Sequence, residues 1–263
     1  MENNNNNSNL DLFIATHKDF NVPVTDNTYK IITLNKPGLK ISNTNLKIYD
    51  DTKGYNISKR QHGYSELSAL YYVYRNLPLK DYIGFNHYRR YFPFNLNVNE
   101  IFKNYDIITP VWYSFDDTVE NIFKMYHFED DIILIEYIIK KYFPDYADDY
   151  DKHIKNNKNL YPYNMFIMKS EDFKKYCDFL FFILFKFDEI NHINSNKDLY
   201  DIYKDKLNNL KNPHPYKNLD YIYQSRIHGF LGERLFTLYV LHNFNPNKIF
   251  RTNIFNIEKK ENY

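Results

Sequence analysis

"DYIGFNHYRRYF", Asp81 to Phe92, is the stretch on which the reading of this chain turns. A short apolar run, Tyr82 to Phe85, gives way abruptly to a histidine, two tyrosines and two adjacent arginines. A run of that length bounded by polar residues is the pattern of a buried strand, and charged groups at its carboxyl end are what a parallel sheet offers to a ligand crevice. Side chains alternate along an extended segment, so His87 and Arg89 are expected on one face and Tyr88 and Arg90 on the other. The arginines would then have different tasks. One can meet a ligand phosphate through two parallel charge-assisted hydrogen bonds, while the other pairs with a carboxylate and holds the turn. A pair of ion pairs at a strand end explains the same residues without a ligand, and composition does not choose between the two.

Outward from this stretch the same signal recurs. "LDLFIATH", Leu10 to His17, is a compact apolar run that breaks into polar residues at Thr16, His17 and Lys18. "DIITPV" and "YNMFIM" read as further strands, and "KIFRTNIF" as the last one. Between them "YSELSALYYVYRNL" places Leu67, Leu70, Tyr71 and Tyr74 at helical spacing, bracketed by Gly63 and Pro78. Thr118 to Lys155 is helical in pattern, Ser170 to Asp188 is expected as a helix started by its serine with Glu171 and Asp172 in the first turn, and "GFLGERLFTLYVLHN" is a final helix. The polar, Asn-rich residues Asn191 to Tyr221 read as an excursion. Alternating strands and helices predict an α/β fold, a Rossmann-type sandwich on a mostly parallel sheet with a helical lid or acceptor region. An Asn-rich tail is expected over residues 1–9 and a single unit over 10–263.

Composition narrows the function classes. With 34 Lys plus Arg against 33 Asp plus Glu, no global field draws the chain to nucleic acid or an anionic membrane, so an anion site has to be local. The single cysteine, Cys177, rules out an internal disulfide and a multi-cysteine zinc site, and in "KKYCDFLFFILF" it reads as a buried, inert thiol. "FLFFILFKF", Phe179 to Phe187, is too short to span a bilayer. "MENNNNNSNLDLF" lacks the basic and long apolar regions of a secretory signal, so a cytoplasmic location is expected, the host cytoplasm if the source is a virus. Abundant Asn, Lys, Ile and Tyr suit AT-rich coding, as in a low-GC microbe or a large DNA virus.

Taken together and in order, "THK" (Thr16–Lys18), "NIS" (Asn56–Ser58), "YSELSALYYVYRN", "GFNHYRRYF", "YNMFIMKSEDFKKYCDFLFFIL" and "GFLGERL" resemble the glycosyltransferase-like family catalogued as domain of unknown function 4422. The resemblance covers nearly the whole chain. That family occurs in capsular and surface polysaccharide loci and is similar to GT-A nucleotide-sugar transferases. Ser65, Tyr72 and Asn86 stand where the family commonly has Cys, Trp and Cys; none of these departures removes a charge, so they bear on packing and sugar preference rather than class.

The resemblance implies a GT-A-like fold and transfer of a hexose, galactofuranose or galactose among the candidates, from a nucleotide diphosphate, with UDP as the expected carrier, to a glycan or glycolipid acceptor. It implies that Thr16, His17 and Lys18 line the nucleotide end of the crevice, although a solvated loop lysine explains Lys18 equally. Asn56 and Ser58 suit uracil, ribose or a sugar hydroxyl, and turn formation or helix capping explains them as well. Glu66, in an otherwise apolar helix, is expected to hold an arginine, and Tyr88 and Arg90 to support the donor. Asn164 and Arg234 are assigned to the sugar or acceptor, although a hydrogen bond that ends a loop explains Asn164 too. His87 and Arg89 are the expected leaving-group pair, and Glu233 the base that takes a proton from an acceptor hydroxyl, although a solvated or ion-paired glutamate explains Glu233 as well.

Many GT-A enzymes hold Mn²⁺ or Mg²⁺ with an Asp-x-Asp motif after a strand. No such motif follows a strand here, and the adjacent pairs Asp116-Asp117, Asp130-Asp131 and Asp148-Asp149 fall in or beside helical stretches, where neighbours diverge. No metal ligand is therefore assigned; Mn²⁺ or Mg²⁺ stays possible, and Arg89, Arg90 and Lys18 could neutralise a diphosphate instead. Two other classes stay open on these residues. One is a noncatalytic carbohydrate-binding module using the aromatic surface. The other is a phosphate-handling α/β enzyme such as a nucleotidyltransferase, which would call for a carboxylate metal site or a Gly-rich loop.

Overall fold

The computed structural model describes residues 9–257 apart from positions 25, 37 and 43. The expected Asn-rich tail up to residue 8 lies outside the described residues. The principal sheet contains β1 (Leu10–Thr16), β2 (Tyr29–Thr33), β3 (Ile48–Asp50), β4 (Tyr82–His87), β5 (Arg90–Tyr91), β6 (Ile107–Pro110), β7 (Phe166–Lys169), β8 (Ile249–Thr252) and β9 (Phe255–Asn256). Its order is β8-β6-β7-β4-β1-β2-β3, with β5 bridging β4 to β9. All pairings along the main path are parallel except the two made by β7, which runs against β4 and β6.

The buried first strand is where the sequence puts it, and "DYIGFN" pairs directly beside it, with Leu12 opposite Gly84 and Ala15 opposite His87. Every residue of β1 is buried because both of its faces are covered. Phe13 and Ala15 enter the larger core beneath the helices, whereas Leu12 and Ile14 enter a second core on the other side of the sheet. Gly84 is needed here. A Cβ at this position would lie 2.4 Å from Leu12 Cδ2 and 3.0 Å from the Phe166 carbonyl oxygen, so neighbouring side chains and a strand backbone occupy the space a side chain would take.

Six longer helices, α1 (Leu67–Asn76), α2 (Val119–Tyr126), α3 (Glu129–Tyr142), α4 (Ser170–Ile190), α5 (Asn196–Asn208) and α6 (Ile227–Asn243), accompany the sheet. α4 packs on β4 and β7 and against α1 and α3, with Phe179, Leu180, Phe181, Ile183, Leu184 and Phe187 buried. Cys177 is fully buried there, and burial pushes its thiol pKa well up. α6 carries buried residues all round and packs on α1 and α4, as expected of a helix that runs through a core rather than over it. Among the described residues no helix is long and apolar enough to cross a membrane.

Three local expectations need correction. The helix expected from Tyr64 is interrupted: a short helical turn, Gln61–Tyr64, stops at Ser65, whose φ of 51° is left-handed, and α1 begins at Leu67. Ser170 does not cap α4. Lys169 occupies the cap position, and the Ser170 N–H donates instead to the Asp81 carbonyl at 2.8 Å. The Asn-rich excursion contains α5, capped by Ser195 and anchored by buried Leu199 and Tyr203, a two-residue apolar spacing too sparse to stand out among polar neighbours.

Candidate functional site

Between β1 and β4 the strand order reverses: β2 and β3 extend to one side of β1 and β4 to the other. The crevice outside the carboxyl ends at such a reversal is where α/β sheets bind ligands. Thr16 Oγ1 donates to the Lys18 carbonyl (2.7 Å) and accepts the Lys18 N–H (3.1 Å), turning the chain sharply and presenting His17 and Lys18 at that opening.

Across the crevice the "HYRR" segment does not continue as an extended strand. Tyr88 and Arg89 form a tight turn and the chain doubles back, so that His87 is paired with Arg90 across an antiparallel hairpin. The alternation expected from an uninterrupted strand is thereby overturned: residues directly opposite in a hairpin share a face, which puts His87 with Arg90 and leaves Arg89 exposed at the tip. Buried Asn86 secures the hairpin by accepting the Phe92 N–H (3.1 Å), and the Tyr91 hydroxyl donates to the Tyr88 carbonyl (3.1 Å).

Neither arginine makes the carboxylate pair expected with Glu66, nor one with Glu233. The Arg90 guanidinium lies 4.2 Å from the centroid of the Tyr163 ring, and its buried Nε has no hydrogen-bond partner among the described residues. Tyr163 and Asn164 both have positive φ, 71° and 51°, immediately before β7. This costly backbone is held by side chains from elsewhere in the fold. The Tyr163 N–H donates to Glu233 Oε1 (2.7 Å), its carbonyl accepts from His87 Nε2 (2.9 Å), and Asn164 Nδ2 donates to Glu66 Oε1 (2.8 Å). Glu66 and Glu233 therefore serve the "YN" bend, and their charges reach the cations only through space. Asn164 Oδ1 is buried and has no hydrogen-bond partner among the described residues.

Electrostatics at the opening run in one direction. His17 is exposed as a residue, yet its ring stands edge-on to Tyr88 (centroids 5.5 Å apart). Burial there, followed by the charges of Lys18, Arg226, Arg89 and His87, lowers its pKa to about 4. Burial also lowers the pKa of His87, an effect that Glu66 opposes and Arg90 and Arg89 reinforce. Among the described residues none of Lys18, Arg89, Arg90 and Arg226 forms an ion pair. Burial raises the pKa of Glu233, against the pull of Arg234 and the Tyr163 N–H. Arg234 is buried beside it, donating to the Phe230 carbonyl (2.9 Å) and to Glu233 Oε2 (3.3 Å).

The structure thus gathers Thr16, His17, Lys18, Glu66, His87, Tyr88, Arg89, Arg90, Asn164, Glu233 and Arg234 around one crevice. Asn56 and Ser58 are bonded to one another (2.7 Å), and the Asn56 amide donates to the carbonyls of Thr52 and Gly54, so turn formation occupies both. Two participants were not singled out from sequence. Arg226 stands just ahead of α6 and donates from Nε to Ser65 Oγ (3.4 Å); the sequence signal was a lone arginine at a helix start. Tyr163 was marked only by the turn-forming "YPYN". The donor set does not suit a hard divalent cation, which needs converging oxygen ligands, because bases dominate the opening and both nearby carboxylates accept N–H groups. Among the described residues no three His, Cys, Asp or Glu side chains converge as a metal-holding group.

A family model described as a domain of unknown function, DUF4422, matches residues 11–209. The structure resembles that of the WbbM bifunctional glycosyltransferase in its apo form, with a TM-score of 0.72 at 19% identity, covering 95% of this chain and 45% of that one. The chain therefore spans less than half the length of that protein. A search of curated proteins finds no match.

Proposed function

The chain belongs to the DUF4422 family, and on that premise we propose that it is a glycosyltransferase that moves a hexose from a nucleoside diphosphate, UDP first among the carriers, to a glycan acceptor. The observation that carries this reading is the set of unpaired bases, Lys18, Arg89 and Arg226 with His17 and His87, converging at the switch-point crevice of a sheet that resembles a glycosyltransferase structure. Like charges gathered at one opening without counter-ions repel one another, and a bound diphosphate relieves that repulsion through charge-assisted contacts.

In the proposed reaction the bond between the sugar's anomeric carbon and the diphosphate oxygen breaks, and its electron pair leaves with the diphosphate. Arg89, Arg226 and Lys18 stabilise the charge that accumulates there, a role that a divalent cation fills in many enzymes of this fold. The acceptor oxygen forms the new bond to the anomeric carbon, and Glu233 takes its proton if the configuration inverts. A carboxylate whose pKa burial has raised is the better base for that transfer. His87 and Arg90 lie together on one face of the hairpin beside this opening. The expected site of action is the cytoplasm.

A thermal-shift panel of UDP, GDP, CMP and their sugar conjugates tests the reading. A ligand at 100 times its Kd adds about 2.7 kcal/mol of stability, which is a rise of roughly 5–10 °C for a chain of this size. The expected result is such a rise with a UDP-hexose, equal in EDTA and in Mn²⁺ and absent in Arg226→Ala. Silence across the panel would favour a noncatalytic carbohydrate-binding module.

A further inference from the structure

Glu233 and Arg234 also line a compartment of about 700 Å³, within the roughly 300–1,000 Å³ of known ligand sites. Tyr113, Tyr126, Tyr216, Tyr223 and Phe230 wall it, and Glu233 and Arg234 close one end. Three of these rings are left open to solvent, Tyr113 at 46%, Tyr126 at 41% and Tyr216 at 63% exposure. They are nonetheless held in place. Tyr126 and Tyr216 stack with planes 16° apart, and Phe230 stacks on His127 with centroids 4.1 Å apart. The loop bearing Tyr216 is pinned by Lys217 Nζ, which donates to the carbonyls of Lys124 (3.0 Å) and His127, and by Gln224 Nε2, which donates to those of Tyr126 (2.8 Å) and Asn218 (2.7 Å).

The charges in this compartment differ from those at the nucleotide end. Asp116 and Asp117 stand at its edge, and hydrogen bonds from the Asn121 side chain and the Thr118 N–H lower the pKa of Asp117. His127 stays neutral, because burial, then the charge of Arg234, lowers its pKa to about 3. Arg234 is paired with Glu233, so the lining is negative on balance. An anionic ligand is attracted to the switch-point opening and repelled from this compartment. Aromatic faces carry negative quadrupole density and attract the polarised C–H face of a pyranose, while the edges of the sugar still reach polar groups.

Resting on the transferase reading, we infer that this compartment is the acceptor subsite and that it takes an uncharged glycan chain, whose sugar faces lie on Tyr126, Tyr216 and Phe230 and whose reacting hydroxyl meets Glu233. Tyr113 stands edge-on to Tyr163 (5.7 Å), the same ring that lies under Arg90. Uronate- or phosphate-bearing units are disfavoured at this end by Asp116 and Asp117.

Saturation-transfer NMR on the full chain tests this with maltotriose, mannotriose and galactotriose as neutral probes and trigalacturonate as the anionic one. At least one neutral trisaccharide should bind, at least tenfold more tightly than trigalacturonate, and Asp116→Asn with Asp117→Asn should narrow that gap. Tyr216→Ala, at the most exposed of the rings, should weaken the neutral probe at least tenfold without changing the melting temperature or UDP affinity. No neutral binding, equal binding of trigalacturonate, or full binding by Tyr216→Ala would each overturn the inference. If a neutral trisaccharide binds through Tyr216 while UDP does not bind at all, the transferase reading fails and the compartment stands as a glycan site.

Discussion

At the scale of single residues the cation cluster makes its own titration measurable. His17 has a pKa near 4 in the free protein and is neutral at pH 6. A bound diphosphate favours the charged form and raises that pKa, so binding takes up protons. UDP-glucose, whose diphosphate does not ionise in this range, should therefore bind more tightly as pH falls from 7.5 to 5.5, with an enthalpy that depends on the buffer's own ionisation. His17→Asn should reduce both effects, leaving the smaller share due to His87. A buffer-independent enthalpy for the wild-type chain would mean that no diphosphate lies near His17. The chemistry of "HYRR" was legible from residue types alone, but the pairing of its members was not. Their facing depends on a turn at Tyr88-Arg89 that carries no Gly, Asn or Pro. The carboxylates expected beside the arginines are instead engaged by the Tyr163 N–H and the Asn164 amide, partners that lie 70 and 98 positions away along the chain.

Elements were easier to read where hydrophobic periodicity is strong. β1, β4, α4 and α6 appear where their apolar runs place them, since burial on both faces leaves an unbroken signal. Helix starts and interruptions were less legible. Ser65 takes a left-handed φ in the middle of a helical pattern, at a point where α6 passes close by: the position of a Cβ on Gly229 lies 3.5 Å from the Ser65 side chain. Asn86 is one of the side chains that hold the hairpin carrying the site, and its share is testable. Asn86→Ala leaves the buried Phe92 N–H without an acceptor, a loss of about 1–3 kcal/mol. Denaturant unfolding should show that loss, and UDP-hexose binding should weaken at temperatures where the chain is still folded. Unchanged stability together with unchanged binding would show that the hairpin is held by other means.

At the scale of the whole molecule, near-zero net charge conceals a strong local polarity. The switch-point opening collects Lys18, Arg89 and Arg226, while a compartment lined by Glu233 collects open rings beside Asp116 and Asp117. Neither could be inferred from overall composition, because the basic opening joins residues from the end of β1, the β4–β5 turn and the start of α6. The fold supplies that junction through the reversal of strand order between β1 and β4. Calorimetric titration of UDP and of uridine into the wild-type chain and into the Arg89→Ala, Arg226→Ala double variant addresses the junction directly, since the two ligands differ only in the diphosphate. Wild type should bind UDP at least 100-fold more tightly than uridine at low salt, with the gap shrinking as salt screens the charges, and the double variant should bind the two nearly alike. Equal affinity for UDP and uridine in the wild type, or a UDP preference undiminished in the double variant, would contradict a diphosphate site built from these bases.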